Sequence, residues 1–367
     1  MAIGRNELDD VAIIGGGPAG ASAAITAARY GARVVLLESG EFPRHKVCGE
    51  FVSAESLDIL RDLLAEVSQA ESRLGEAPAI NQVRLIRDRR STTTAVSPAG
   101  LSLPRYDLDA LLWRAAQQTG VQARAGCEVR AIQGRGPFRL DTSQGTIEAS
   151  SVVVAAGRWS RFRPKIAAPA GPKWIGIKAH FREQQPCRSS DLYFFEHGYC
   201  GVQPVSAGVV NACAMVRSDR VKSLKEVLVL SPALAERSRN WQPLMEPVTT
   251  APLIYRTPQP VRDNLMFVGD AAAFIDPFVG DGISIALRTG QLAAGELQRA
   301  LQNSTSLTTA VANYQEKYER YFVPLITAAS RIRHLLSWPK PAQFAVLELL
   351  RLPGLMSYLI RSTRRSH

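Results

Sequence analysis

Between Asp10 and Glu38 an unbroken apolar run, Val11–Ile14, gives way to a glycine-rich turn. An alanine-rich stretch reaching Arg29 follows, and then a second apolar run over 33–37. Short unbroken apolar runs of this kind predict buried parallel strands, and the small-residue stretch between them predicts a helix packed close to the sheet. A late apolar run, Leu265–Val268, enters a second glycine-rich segment, Gly269 to Gly290, which leads into another helix starting near Gly282. Leu108, Leu111, Leu112 and Ala115 fall on one helical face in the stretch that opens with Arg105. Between these segments the pattern changes to strands. INQVRLIRD, KWIGIKAHFRE and the stretch from Asp191 to Arg217 read as a β-rich region, with a hairpin turn at Ser206, Ala207 and Gly208.

The first glycine-rich turn carries candidate chemistry. Gly15, Gly17 and Gly20 stand in G-x-G-x-x-G spacing between a strand and a helix that opens with Pro18 and Ala19. Gly15 permits the tight turn, Gly17 lets backbone approach a pyrophosphate, and Gly20 lets the helix pack close. The helix N-terminus presents unpaired N–H groups to phosphate. Glu38, followed by Ser39, ends the second strand, where a carboxylate accepts hydrogen bonds from ribose hydroxyls and repels a 2′-phosphate. These features together predict a dinucleotide site, which the pattern leaves open between NAD and FAD.

The second segment narrows the choice. A first-strand fingerprint combined with a late strand running into Gly269-Asp270-Ala271-Ala272, then DPFVGDGI and a helix, resembles the FAD-binding fold of aromatic hydroxylases and geranylgeranyl reductases, a glutathione-reductase-type superfamily. The resemblance implies an α/β fold with three parts. A Rossmann-type FAD-binding domain is interrupted in sequence (1–75, 103–170 and 256–305). A β-sheet substrate domain is inserted (76–102 and 171–255), and a helical C-terminal segment follows (306–367). It implies that Asp270 bonds the FAD ribityl chain and that Pro277, with the backbone of Gly280, Asp281, Gly282 and Ile283, lies along the isoalloxazine. Arg105 would reach the phosphate and ribityl region. Ala156-Gly157, closing the strand ASSVVVAAG, stands where hydroxylases have Asp-Gly, a departure that bears on direct reduction by NADPH.

The loop after Glu38 adds Arg44, His45 and Lys46, cations near the expected pyrophosphate, and then Cys48-Gly49-Glu50. This triplet is similar to the loop that passes near the isoalloxazine in geranylgeranyl reductases and some flavin-dependent halogenases. Cys48 and Glu50 are therefore candidate catalytic residues beside Pro277. The alternative is that Cys48 only packs and Arg44 alone serves phosphate. The W-x-W-x-I-P segment of halogenases is absent. The reductases' Y-x-W-x-F signature is matched only in part, at Tyr193-Phe194-Phe195. Trp174, Phe181, Tyr193, Phe195, Tyr199 and Phe278 suggest an apolar pocket, and His180 and His197 are the histidines placed to act there as acid or base.

The chain has 367 residues, of which 46% are apolar and 21% charged, an ordinary globular composition. No run of apolar residues is long enough to span a membrane, and no secretory pattern opens the sequence, so a cytoplasmic protein is expected. Five cysteines without a CxxC pair predict free thiols and no metal site. The net charge is +11, and from Val311 onward nine Lys and Arg face three Glu. This basic, apolar-interleaved tail fits helices packed on the body or peripheral contact with an anionic membrane; no nucleic-acid-reading pattern is present.

The expected function is FAD-dependent hydride transfer on a bulky apolar substrate (prenyl, lipid-like, polyketide or aromatic), with NADH or NADPH as reductant. The alternatives are a flavin monooxygenase and an electron-transfer flavoprotein serving a quinone or a partner protein.

Overall fold

The computed structural model describes residues 8–159, 161–162, 173–250, 252–255, 257–275, 280–302 and 304–336. Two sheets organise it. The first contains β1 (Asp9–Ile14), β2 (Val34–Leu37), β6 (Gln122–Arg124), β7 (Val129–Gly134), β8 (Phe138–Thr142), β9 (Gly145–Val154), β16 (Val261–Arg262) and β17 (Leu265–Phe267). Its central order is β17-β9-β1-β2-β6, all parallel. Strands buried on both faces need the unbroken Val/Ile/Leu runs seen in β1 and β2.

The helices α1 (Pro18–Arg29), α4 (Arg105–Gln118) and α7 (Gly282–Leu301) pack around this sheet; α2 (Ala54–Leu63) and α3 (Ala70–Glu76) lie between. α1 and α7 approach closely because small residues line the seam. A Cβ on Gly290 would lie 2.4 Å from the Ala19 carbonyl oxygen, and the Ser22 hydroxyl donates to the Leu287 carbonyl at 2.8 Å. α8 (Leu307–Tyr321) and α9 (Val323–Leu336) follow, with the buried Tyr314 hydroxyl donating to the Phe267 carbonyl. Among the described residues no helix is long and apolar enough to cross a membrane. Most of the basic tail, from residue 337 on, lies outside the described residues.

The second sheet contains β3 (Phe51–Val52), β4 (Ala79–Arg87), β5 (Arg90–Ser102), β10 (Trp174–Arg182), β11 (Ser189–Phe195), β12 (Gly198–Ser206), β13 (Val209–Arg217), β14 (Gln242–Pro243) and β15 (Val248–Thr250). The order β10-β13-β12-β11-β4-β5-β3 is antiparallel except for β11 with β4. The hairpin expected at Ser206–Gly208 joins β12 to β13. A second one, turning at Glu196 and His197, joins β11 to β12. β3 comes from the loop carrying Cys48 and Glu50, so that loop is tied into the second sheet while α1 and Glu38 belong to the first.

The two faces of the second sheet differ. Ile177, Ala179, Val202, Val210, Ala212 and Val216 face α5 (Leu224–Leu228) and α6 (Pro232–Ser238) in an apolar core. The alternate positions point the other way, toward the first sheet, as the two-residue period of a strand requires. Gly176 on that side leaves room for Val47, since a Cβ there would lie 2.8 Å from Val47 Cγ1.

Candidate active site

The first glycine turn is built as its spacing predicts. Gly15 holds φ +107°, and a Cβ on it would lie 2.4 Å from the Ala155 carbonyl oxygen, so only glycine fits under the strand end that leads to Ala156 and Gly157. Its N–H donates to Leu37 at 2.7 Å. α1 begins at Pro18 without a side-chain cap, so the N–H groups of its first turn stay available to an anion. A Cβ on Gly17 would meet only the Arg105 guanidinium, 3.8 Å away. That open approach beside a cation and a helix N-terminus fits a pyrophosphate.

Glu38 is nearly fully buried. Its carboxylate accepts from the Gly16 N–H at 2.9 Å, the Gly40 N–H at 2.9 Å and the Ser39 hydroxyl at 3.2 Å, and is paired with Arg44 at 2.7 Å. Burial opposes ionisation, but the Arg44 pair and the two backbone donors outweigh it and hold the carboxyl at about 2. A depressed carboxyl stabilises the fold above its unfolded value of 4.5 and loses that contribution as pH falls toward 2, about 3 kcal/mol in all. Glu38→Gln is therefore expected to flatten the acid limb of the stability curve in this window. Urea midpoints measured from pH 5 downward check it.

Arg105 is fixed by a bidentate pair with Asp109, at 2.6 and 2.7 Å. Burial works against its charge, yet Asp109 and the nearby Cys48 raise its pKa above the usual arginine value. The later segment meets α1 directly. Gly269, at φ +57°, donates its N–H to the Thr289 hydroxyl oxygen at 2.9 Å, and a Cβ there would lie 2.9 Å from Ala19 Cβ. Asp270 follows in a short 3-10 turn. Gly280, at φ +76°, lies against the ring of Phe51, so the start of α7 at Asp281, Gly282 and Ile283 is next to the Cys48–Glu50 loop. Pro277 and Phe278 lie outside the described residues.

The structure thus brings together Gly15 to Gly20, Glu38, Arg44, Arg105, Cys48, Glu50, Ala156, Gly157 and the start of α7. Of the three cations after Glu38, Arg44 turns to that carboxylate. Lys46 is exposed, and His45 points elsewhere, its ring 4.8 Å from Tyr106 and 5.4 Å from His180.

Sequence reasoning named Glu50 and His180 as separate candidates and missed both Lys178 and the contact that joins the three. Glu50, fully buried with φ +65°, is bonded to Lys178 and, at 2.8 Å, to His180 Nε2, both on β10. It also accepts from the Arg105 N–H at 2.9 Å. Burial opposes its charge, but His180 and Lys178 together pull its pKa below the ordinary value. Asn211 on β13 donates to the carbonyls of Cys48 and Gly49 at 3.0 and 3.1 Å. One sequence signal was available: Lys178 and His180 stand two apart in an otherwise apolar strand, so both point to one face.

Cross-strand register maps that face. One row runs Lys178, Cys213, Gly201, Leu192, Leu85, and the next runs Gly176, Met215, Tyr199, Phe194. Cys213, Gly201 and Leu192 are half-buried, whereas Met215, Tyr199 and Phe194 pack with Leu253 and with Phe274, which follows the Gly269–Ala273 segment. The face is polar at the Lys178–His180 end and aromatic at the other, with little side-chain bulk between.

A glycine turn under a parallel sheet, an acid ending the second strand and a late glycine segment closing on the same helix define a FAD-dependent flavoenzyme with a substrate sheet over its cofactor cradle. The chain belongs to the FAD binding domain family, whose model matches residues 9–317. It is 25% identical over 386 residues to the menaquinone reductase of Mycolicibacterium smegmatis, covering 97% of this chain and 91% of that protein. It is also 25% identical over 321 residues to a 1H-pyrrole-2-carbonyl-(peptidyl-carrier protein) brominase of Pseudoalteromonas luteoviolacea, covering 80% and 78%. Among solved structures it resembles a flavin-dependent brominase, with TM-score 0.80 and 22% identity over 97% of this chain and 93% of that one. A geranylgeranyl bacteriochlorophyll reductase-like protein from Thermoplasma acidophilum matches with TM-score 0.76 and 19% identity over 98% and 97%.

Proposed function

We propose that the protein is a FAD-dependent reductase of a bulky apolar substrate, prenylated or aromatic, with NADH or NADPH as the source of electrons. The observation that carries this reading is the sheet face above the cradle. A half-buried strip, Cys213, Gly201 and Leu192, is bordered by Met215, Tyr199 and Phe194. Such a strip suits a flat or extended apolar molecule, whose burial is worth roughly 25 cal/mol per Å². The reading is also supported by the similarity to a menaquinone reductase along nearly the whole chain.

When bound, FAD supplies two-electron transfer at its isoalloxazine. The protein's own residues do the rest. The α1 N-terminus and Arg105 would hold the pyrophosphate, Glu38 the adenosine ribose and Asp270 the ribityl chain. The N–H groups at the start of α7 would face the ring where negative charge collects. Cys48 and Glu50, held by Asn211, Lys178 and His180, would line the cradle on its sheet side.

The test is an anaerobic incubation of the FAD-loaded protein with NADPH and, separately, menaquinone and a geranylgeranyl lipid, followed by mass spectrometry and then repeated in air. A gain of two hydrogens is expected. A gain of oxygen, in air only, would replace this reading with monooxygenation, and unchanged lipids throughout would overturn the apolar substrate class.

A further inference from the structure

Glu50, Lys178 and His180 form a buried polar group whose one bond to the FAD cradle, from the Arg105 N–H to Glu50, needs neither Lys178 nor His180. Lys178 and Glu50 are fully buried and His180 is 9% exposed. Taking such charges out of water costs several kcal/mol per ion, so a triad of this kind is weak evidence for stability and more often marks a functional site. Its position is specific. Lys178 is the cross-strand neighbour of Cys213, where the half-buried strip begins, and Glu50 precedes Phe51, which touches Gly280 at the start of α7.

The triad also has a way out. His45 meets His180 edge-on at 5.4 Å, and its other neighbour is Tyr106, 4.8 Å away and 39% exposed. The Nδ1 of His45 is buried without a hydrogen-bond partner. Burial, with Lys178 and His180 nearby, lowers the His45 pKa and so favours the neutral ring, whose free Nδ1 and second nitrogen give it the two sites a relay needs. The titratable groups near the triad are the Cys213 thiol from β13, which burial keeps protonated, Asp107 from α4 beside His45, and the Cys48 thiol of the loop itself.

We propose that Glu50, Lys178 and His180 are a proton store, refilled from solvent through His45 and Tyr106, that gains one proton as an electron pair enters the site and delivers it to the substrate. With Nε2–H donated to Glu50, His180 takes the incoming proton at Nδ1. Glu50 stabilises the imidazolium, and Lys178 keeps the carboxylate ionised. In turnover, and resting on the reductase reading above, the hydride forms a C–H bond at one end of a double bond. The N–H bond of His180 breaks, and its proton joins the other end, which holds the electron pair. His180 is the catalytic residue of the three; Glu50 and Lys178 are positioning residues.

The measurement is the midpoint potential of the FAD-loaded protein against pH, with dithionite as reductant and no substrate present. For a two-electron couple each proton taken up moves the potential by about 30 mV per pH unit. Between about pH 7 and pH 8, in the upper part of the range where a histidine changes charge, the wild type is expected to show two protons, about 60 mV. His180→Asn should show one, about 30 mV, and His197→Asn, at the β11–β12 turn, should match the wild type. His45→Asn should keep the two-proton slope while slowing the uptake seen with a pH-indicator dye. A one-proton slope in the wild type, or an unchanged slope in His180→Asn, overturns the proposal. Because no substrate is used, this outcome is independent of the product analysis that decides between reduction and monooxygenation.

Discussion

Gly20→Ala is expected to abolish FAD retention and to destabilise the fold by about 3 kcal/mol or more, the upper range for forced overpacking. A Cβ at this position would lie 1.8 Å from the Gly15 carbonyl oxygen and 3.0 Å from Ala155 Cβ. Neither neighbour can yield cheaply. Gly15 is pinned by its hydrogen bond to Leu37 at 2.7 Å, and the Ala155 N–H is bonded to Ile14 at 2.7 Å. The methyl therefore pushes α1 away from the sheet, and with it the N–H groups of the first turn. Gly17→Ala is the informative contrast. Gly17 has φ −74° and ψ −177°, extended backbone open to any residue, and its added methyl would meet nothing nearer than the Arg105 guanidinium at 3.8 Å. The unloaded protein should be unchanged or more stable by about 0.4–1 kcal/mol, since alanine restricts the unfolded chain. FAD binding should still weaken, because the methyl stands where a phosphate would approach. Thermal melts of unloaded protein, paired with flavin absorbance after FAD titration and desalting, separate the two effects. Full FAD retention by Gly17→Ala would remove the pyrophosphate from this turn.

The contrast marks what could be read along the chain. Gly15, Gly17 and Gly20 belong to one β-α unit, so spacing alone placed them, although the close approach of Ala155 to Gly15 and Gly20 comes from a distant strand. The same holds for the hairpin at Ser206–Gly208 and for the start of α7 at Gly282, where turn residues and a change of period are local signals. Glu50 is different. Its partners are 128 and 130 residues away, and they meet it only because β3 joins the second sheet while β10 turns its even-numbered side chains to the cradle. Strand alternation predicts that Lys178 and His180 share a face, but which face looks at the cofactor depends on the packing of α5 and α6 behind the sheet. Arg44 shows the same limit at short range. Its charge suggested phosphate, and the fold directs it to Glu38, six residues back, where it neutralises a buried carboxylate.

Glu50→Ala is expected to cost about 3–5 kcal/mol, the usual consequence of leaving a buried charge without its partner. Lys178 is fully buried and bonded to Glu50, so the truncation strands an ammonium group between the two sheets. It also frees the Arg105 N–H and His180 Nε2. The φ of +65° at Glu50 strains any non-glycine residue, the wild-type glutamate and alanine alike, so it cancels from this difference. Glu50→Gly relieves that strain and should be the less damaging truncation, though still unstable for want of the carboxylate. Combining Glu50→Gln with Lys178→Met tests the electrostatic account, since removing both charges can be nearly neutral where removing one is not. The double variant should recover most of the stability lost in Glu50→Ala, and urea unfolding of the single and double variants gives the coupling energy. Recovery of stability without recovery of the two-proton slope would show that the triad's charges serve proton handling rather than the joint between the sheets. If stability does not return, the second carboxylate oxygen, which meets His180 Nε2 and which glutamine replaces with an NH2, is what the fold depends on, and the triad is a structural clamp.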